Sequence, residues 1–228
     1  MRTAKTVLTV IQERGKQKKP IERVYKLLFN RELYLNAYAK LYPNNGAMTK
    51  GVTNETVDGM SIQKIDRMIE ILREEKYQWK PARREYIKKK NGKKRPLGIP
   101  VWGDKVLQEV MRQILEAYYE PQFSEHSHGF RPNRGCHTAL QEIQVWKGTR
   151  WFIEGDISQY FDTIDHKILL EILARNIHDG RFIRLVSNML EAGYLEEWKF
   201  KQTISGVPQG GVISPILANI YLNEFDNW

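Results

Sequence analysis

Gly206-Val207-Pro208-Gln209-Gly210-Gly211-Val212-Ile213-Ser214-Pro215 runs directly into the uncharged, largely apolar segment Ile216 to Leu222. Three glycines and two prolines in ten residues define a backbone that can come close to a ligand, because glycine carries no Cβ to hold it off and proline fixes φ. Upstream, the apolar run Trp151-Phe152-Ile153-Glu154-Gly155 leads to the lone carboxylate of Asp156. Together these stretches predict a mixed α and β fold in which a carboxylate and a glycine-lined loop meet over a polyphosphate.

A chain of 228 residues with 41% hydrophobic content can bury a sizeable core, as one large domain or two small lobes. The single Cys136 excludes an internal disulfide framework and fits a reducing compartment, the cytoplasm of a bacterium or the interior of an organelle. The N-terminus has no apolar signal core. The uncharged run 202–223 is long enough to cross a bilayer, but Pro208, Gln209, Pro215 and Asn219 sit near its middle, so it reads as buried loop and helix and predicts no membrane partner.

The net charge of +9 is unevenly spread. Lys80 to Arg95 holds nine Lys or Arg against the single Glu85, and residues 1–20 hold six basic side chains against one acidic. From Gly155 to Trp228 the balance reverses, with ten acidic residues against six basic. A basic front half suits a polyanion and an acidic back half suits divalent cations, as two parts of one nucleic-acid reaction would require.

Periodicity predicts a helix over 21–41, a loop from Pro43 to Gly59, and a helix opened by Ser61 with Ile62, Ile65, Ile69 and Leu72 on one face. Arg84–Lys88 and Lys93–Leu97 flank Asn91-Gly92, the pattern of a tight hairpin that holds basic side chains on stiff strands. Trp102 to Tyr119 reads as a long helix stopped by Pro121, and Cys136 to Trp146 as another. A strand is expected over 151–157, a helix begun by Asp165 or His166, a helix over 181–190, a strand over 197–204 and a helix over 213–225.

Several blocks then fall in a recognisable order: Lys93-Lys94-Arg95-Pro96-Leu97-Gly98-Ile99-Pro100, the stretch from His128-Gly129-Phe130-Arg131-Pro132-Asn133-Arg134-Gly135 to Leu140, Phe161-Asp162-Thr163-Ile164-Asp165-His166, and Gly206 to Leu222. With Gly46-Ala47-Met48-Thr49-Lys50-Gly51-Val52 near the N-terminus, they resemble the group II intron-encoded reverse transcriptases, or maturases, over nearly the whole chain. The resemblance implies an α+β, right-handed polymerase fold: fingers and a partial palm, helix-rich, with a basic β-hairpin and a short antiparallel palm sheet. It divides the chain into an RNA-binding N-terminal extension (1–60), fingers (61–150) and an incomplete palm (151–228).

It also implies roles. Palm carboxylates of such polymerases hold two divalent metals about 3.5–4 Å apart. Asp156 matches the first carboxylate, and the backbone carbonyl of Ile157 would add a hard oxygen ligand for Mg²⁺, or for Mn²⁺ in its place. Phe161 matches the aromatic that blocks a 2′-hydroxyl and so selects deoxynucleotides, while Tyr160 packs. Gln209 and Gly210 match the loop that lines the nucleotide pocket, and Lys89 and Arg95 the cations that grip the triphosphate. Lys88, Lys93, Lys94, Arg131 and Arg134 fall where RNA would be contacted, although salt bridges to acidic neighbours would occupy the two arginines equally well. Asp165 suits a helix N-cap better than a third metal ligand.

His126, His128, Cys136 and His137 do not form a zinc pattern, for want of a second cysteine. No Walker loop or nucleophile elbow is present. The resemblance further implies a Tyr-Ala-Asp-Asp hairpin, a thumb and a maturase region, none of which is in this sequence. The expectation is therefore an RNA-directed DNA polymerase, a nucleotidyltransferase of a mobile retroelement, whose 228-residue part is inactive alone. Its expected partners are an RNA template, group II intron RNA, a DNA primer and dNTPs, and its uncovered apolar surface would favour a homodimer. A non-catalytic intron-RNA-binding maturase module is the alternative.

Overall fold

The computed structural model describes residues 2–228 apart from Lys89, Lys90, Asn91, Lys93, Trp198, Ile204, Pro208 and Gln209. Lys89, Lys93, Gln209 and the Asn91 half of the expected turn thus lie outside the described residues. In chain order the elements are α1 (Ala4–Lys16), β1 (Ile21–Glu22), α2 (Arg31–Leu41), α3 (Ile62–Arg73), β2 (Ala82–Lys88), β3 (Lys94–Ile99), α4 (Trp102–Tyr119), α5 (Cys136–Gln144), α6 (Tyr160–Thr163), α7 (His166–Asn176), β4 (Ile177–His178), α8 (Gly180–Leu190), β5 (Tyr194–Glu196), β6 (Lys199–Lys201) and α9 (Ser214–Asp226). The α+β class read from the sequence holds.

Helix α4 is the axis of the core. Val106, Leu107, Val110, Met111, Ile114, Leu115 and Tyr118 on it are fully buried, and α1, α2 and α9 pack around them. Gly15 lets α1 cross closely, since a Cβ there would lie 2.1 Å from the Tyr118 carbonyl oxygen. One hydrophobic cluster runs from Ala4 to Ile220, so the three expected blocks share a single core. Burying a large aliphatic or aromatic side chain is worth about 1.5–3 kcal/mol, which makes this shared cluster the main force fixing the strands and loops around α4.

Sequence signals placed most elements correctly. Ser61 caps α3 by accepting from the Lys64 N–H at 3.3 Å, and Asp165 caps α7 by accepting from the Ile168 N–H at 2.9 Å. The helix expected over 21–41 is instead broken. Arg23 is left-handed at φ 55°, a 3₁₀ turn spans Val24–Phe29, and Asn30 starts α2 afresh by accepting from the Glu32 N–H at 3.0 Å. Asparagine at that point competes for the backbone and makes a better cap than a mid-helix residue.

The sheet runs β3-β2-β5-β6, with β2 and β3 antiparallel, β2 and β5 parallel, and β5 and β6 antiparallel. The strands expected over 151–157 and 197–204 therefore part ways: β5 and β6 join the hairpin in one sheet, and 151–157 forms no strand. Trp151 and Ile153 are 87% and 94% exposed. No neighbouring described strand pairs with this segment, and a lone strand leaves its N–H and C=O groups to water, so apolar composition alone does not hold it extended. Among the described residues no helix is long and apolar enough to cross a membrane.

Burial pushes the Asp104 carboxyl up to about 6 from 3.8, against the opposing pull of its bonds from the Tyr77 hydroxyl and the Lys80 N–H. The native state thus holds a proton that the unfolded chain releases, so the stability from this group is full below about pH 3.8 and is lost as pH rises through about 6. Asp104→Asn removes that loss. The melting temperature of the variant relative to the native protein should climb as pH rises from 4 to 7; a difference constant over that range in thermal melts would contradict the account.

Candidate active site

The β2–β3 register sets which side chains of the basic hairpin share a face. Ile87 opposes Arg95 and Glu85 opposes Leu97, while Lys88 opposes Lys94, Tyr86 opposes Pro96 and Arg84 opposes Gly98. Opposed residues lie on the same side of a sheet and alternate along each strand. Arg95 therefore stands on one face with Leu97 and Ile99, and Lys88 and Lys94 stand on the other with Arg84 and Tyr86.

The glycine loop, which lies between β6 and α9 in the chain, packs against both β3 and the short helix α6. At Gly206, φ is +86° and a Cβ would meet the Phe161 carbonyl oxygen at 2.7 Å; at Gly210, φ is +102° and a Cβ would meet the Gly98 carbonyl oxygen and a Leu97 methyl, each at 2.7 Å. Only glycine accommodates both the left-handed backbone and this proximity. The Gly206 N–H donates to Ile164 O at 2.8 Å, and the Val207 N–H to Phe161 O at 2.7 Å. His166 Nε2 lies 2.7 Å from Gly206 O, and because a carbonyl only accepts, that nitrogen carries the proton.

The far end of the loop is tied to the core, where the Val212 N–H donates to Gln108 Oε1 at 2.9 Å. Two turns of α4 thereby hold the site. Asp104 holds 77–80 ahead of the hairpin, and Lys105 Nζ donates to Gly46 O at 3.1 Å and Thr49 O at 3.0 Å in the N-terminal loop. Burial lowers the pKa of Lys105, with the nearby Arg83 charge acting in the same direction. Sequence reading missed Lys105 and Gln108. Their signal is that they are polar side chains on a long helix with a broad apolar stripe, where a buried group must have a partner.

Phe161 is half-buried on α6, with its ring edge-on to Phe130 at 6.2 Å and near Tyr160 at 5.7 Å. Tyr160 packs as expected, its hydroxyl donating to Ala218 O at 2.8 Å. Asp156 and Ile157 are exposed on the irregular segment before α6. Asp156 offers a hard oxygen donor, but among the described residues no three His, Cys, Asp or Glu side chains could hold a metal ion together. A divalent cation needs about six oxygen ligands, so the described residues do not make a two-ion centre by themselves.

Arg131 is not placed for RNA. Its guanidinium is buried beneath the loop, bonded to the Glu120 carboxylate at 2.9 and 3.1 Å and to Ser124 O and Ser127 O at 2.6 and 2.8 Å, and lies over the Phe123 ring. A fork whose donors are spent on internal acceptors organises the loop instead of gripping phosphate. Arg134 is partly exposed and donates to Glu125 O. His126 and His128 both bond Glu142, clamping the same loop to α5; their hydrogen bonds, His128 first, hold the Glu142 carboxyl below its usual range.

Residues 87–228, which include β3, Phe161 and the glycine loop, match the family described as "Reverse transcriptase (RNA-dependent DNA polymerase)". The chain belongs to the reverse transcriptase family. It is 50% identical over 208 residues to the "Group II intron-encoded protein LtrA" of Lactococcus lactis subsp. cremoris, covering 90% of this chain and 35% of that protein. It is 47% identical to an "Uncharacterized 91 kDa protein in cob intron" of Schizosaccharomyces pombe, covering 99% of this chain and 29% of that one. The chain thus spans about a third of the length of these curated relatives. In fold it is similar to a chain of a "Partial Cas6-RT-Cas1--Cas2 complex", with a TM-score of 0.59 at 20% identity over 90% of this chain and 34% of the other.

Arg131→Ala should cost about 1–3 kcal/mol by leaving Glu120 and two carbonyls without their donor. Thermal melts and RNA affinity measured on folded protein check this. A drop in affinity with an unchanged melting temperature would return Arg131 to the RNA contacts.

Proposed function

We propose that this chain is the fingers (61–150) and part of the palm (151–228) of a group II intron reverse transcriptase that copies RNA into DNA, with residues 1–60 as an RNA-binding extension. The observation that carries this reading is the glycine loop, which is pressed at Gly206 against the Phe161 carbonyl and at Gly210 against Leu97 and Gly98 of β3, the strand that carries Arg95. One short segment thereby spans from the sugar-facing aromatic to the triphosphate-facing strand.

In this reading Arg95, with Lys89, binds the triphosphate of a dNTP through charge and a planar fork. Phe161 bars a 2′-hydroxyl by steric bulk, its rotation limited by Phe130 and Tyr160. Gln209 and Gly210 line the pocket, where the missing Cβ lets the backbone approach the nucleotide. Asp156 and the Ile157 carbonyl are the first oxygen donors for Mg²⁺, which when bound would activate a primer hydroxyl and clamp the phosphates. Further carboxylates outside the described set must complete that centre, so the 228 residues do not polymerise alone. The enzyme works on an RNA template and DNA primer inside a bacterial cell or organelle, supports intron splicing and mobility, and self-associates as a homodimer through its exposed apolar surface.

The test is primer extension on an RNA template with Mg²⁺ and dNTPs, comparing the parent protein, the parent carrying Asp156→Ala and the 228-residue chain. An active parent with the other two inactive is the expected result. A parent that binds intron RNA without extending primers would move the function to the maturase alternative.

A further inference from the structure

The peptide unit between Gly206 and Val207 is held at both ends by one short turn. Its N–H, on Val207, donates to Phe161 O at 2.7 Å, and its C=O, on Gly206, accepts from His166 Nε2 at 2.7 Å. A trans peptide is planar, so its N–H and C=O point in opposite directions and can only turn together. The 161–166 turn therefore grips one plane from two sides, with Phe161 as one jaw and His166 as the other. Two further bonds complete the stitch, from the Gly206 N–H to Ile164 O at 2.8 Å and from Ser205 Oγ to Asp162 O at 3.2 Å.

His166 is the first residue of α7, set there by the Asp165 cap on the Ile168 N–H. It is only half-buried, and it borders an open groove of about 670 Å³ together with Lys167, Leu170 and Glu191. Core packing does not account for a histidine at this position, whereas an N–H long enough to reach a carbonyl across the turn does. Glycine has little steric resistance to a change of backbone angle, so at Gly206 the plane is held by its partners more than by its own geometry. Loss of the His166 donor frees the C=O, and a plane that turns also carries the Val207 N–H away from Phe161 O. The same chain runs on to Gly210, packed against Leu97 and Gly98.

We propose that His166 is a positioning residue for nucleotide selection: by fixing the plane between Gly206 and Val207, it holds the pocket-lining loop at a set distance from the Phe161 ring. The inference rests on the polymerase reading for what the loop binds. His166 acts through the Gly206 carbonyl, without touching the nucleotide or moving a proton in the reaction. Its role is thus tied to one atom, Nε2. A glutamine side chain brings an amide N–H to the same place, and asparagine, one carbon shorter, does not.

Steady-state primer extension by the parent protein should show His166→Ala raising the KM for dNTPs by roughly tenfold, the scale of one lost hydrogen bond, with a smaller change in kcat. His166→Gln should bring KM back close to the native value, and His166→Asn should not. Melting temperatures report folding, and where His166→Ala does not fold, the Gln and Asn pair carries the comparison, since both keep a polar side chain at the start of α7. Hydrogen exchange of the Gly206 and Val207 amides in the same proteins reads the hold on the loop without polymerisation. It should be faster in His166→Ala and His166→Asn than in His166→Gln. Equal KM in the folded Gln and Asn variants, an equal loss of kcat in all three, or exchange that ignores the substitution overturns the assignment. A native parent that extends no primer overturns the polymerase reading and this role with it, whereas native activity with variants indistinguishable from it overturns the role of His166 alone.

Discussion

Four buried polar side chains on two turns of one helix hold the rest of the molecule in register. Asp104, Lys105, Gln108 and Glu109 all lie on α4 within the hydrophobic core, where an unpartnered polar group would cost about 1–3 kcal/mol. Each is satisfied by a different segment. Asp104 takes bonds from Tyr77 and the Lys80 backbone, Lys105 bonds two carbonyls of the N-terminal loop, Gln108 takes the Val212 N–H, and Glu109 pairs with Lys40 of α2 as well as with Arg112 of α4 itself. The apolar stripe gives α4 its depth, and these groups make that depth specific. A loop that shifted would leave both its own backbone and a core side chain without a partner, so the loops bordering the site are positioned by the same helix that organises the core.

That arrangement explains how a chain with many loops can present ordered chemistry. The glycine loop is anchored at Gly206 through Phe161 and Ile164, packed at Gly210 against β3, and tied at Val212 to α4. Its geometry is thus set by three independent neighbours. The hairpin is a two-sided element by the alternation of a strand, and its register places Arg95 and Arg84 on opposite sides.

Most of this was legible in the sequence where local chemistry decides the outcome. Ser61 and Asp165 announced helix starts, the four-residue spacing of Val106, Val110 and Ile114 announced α4, and the residues flanking Gly92 announced the β2–β3 pair. The glycines at 206 and 210 were recognisable as points of close approach, though not what they approach. Sequence reading failed where a distant partner decides. Nothing local distinguishes Trp151–Ile157 from a strand, because the missing quantity is a neighbour to receive its hydrogen bonds. Nothing local shows that Arg131 will find Glu120 eleven residues earlier and turn inward. The apolar periodicity across 21–41 reads as one helix, and the break at Asn30 becomes plain only from its side-chain cap on the Glu32 N–H.

The exposed carboxylate and the rigid loop stand in instructive contrast. Gly206 and Gly210 are fixed by contacts that tolerate no Cβ, whereas Asp156 lies on an exposed segment without helix or strand, next to apolar side chains that gain little from water. The proposed polymerase role would need the carboxylate placed as firmly as the loop, since catalysis depends on reacting groups held within a fraction of an ångström. Burying Trp151, Phe152 and Ile153 against further protein would supply that firmness and remove the apolar exposure together. The same packing event would then pair the backbone of 151–157 and fix Asp156, so that the acquisition of catalytic geometry and the completion of the core become one step.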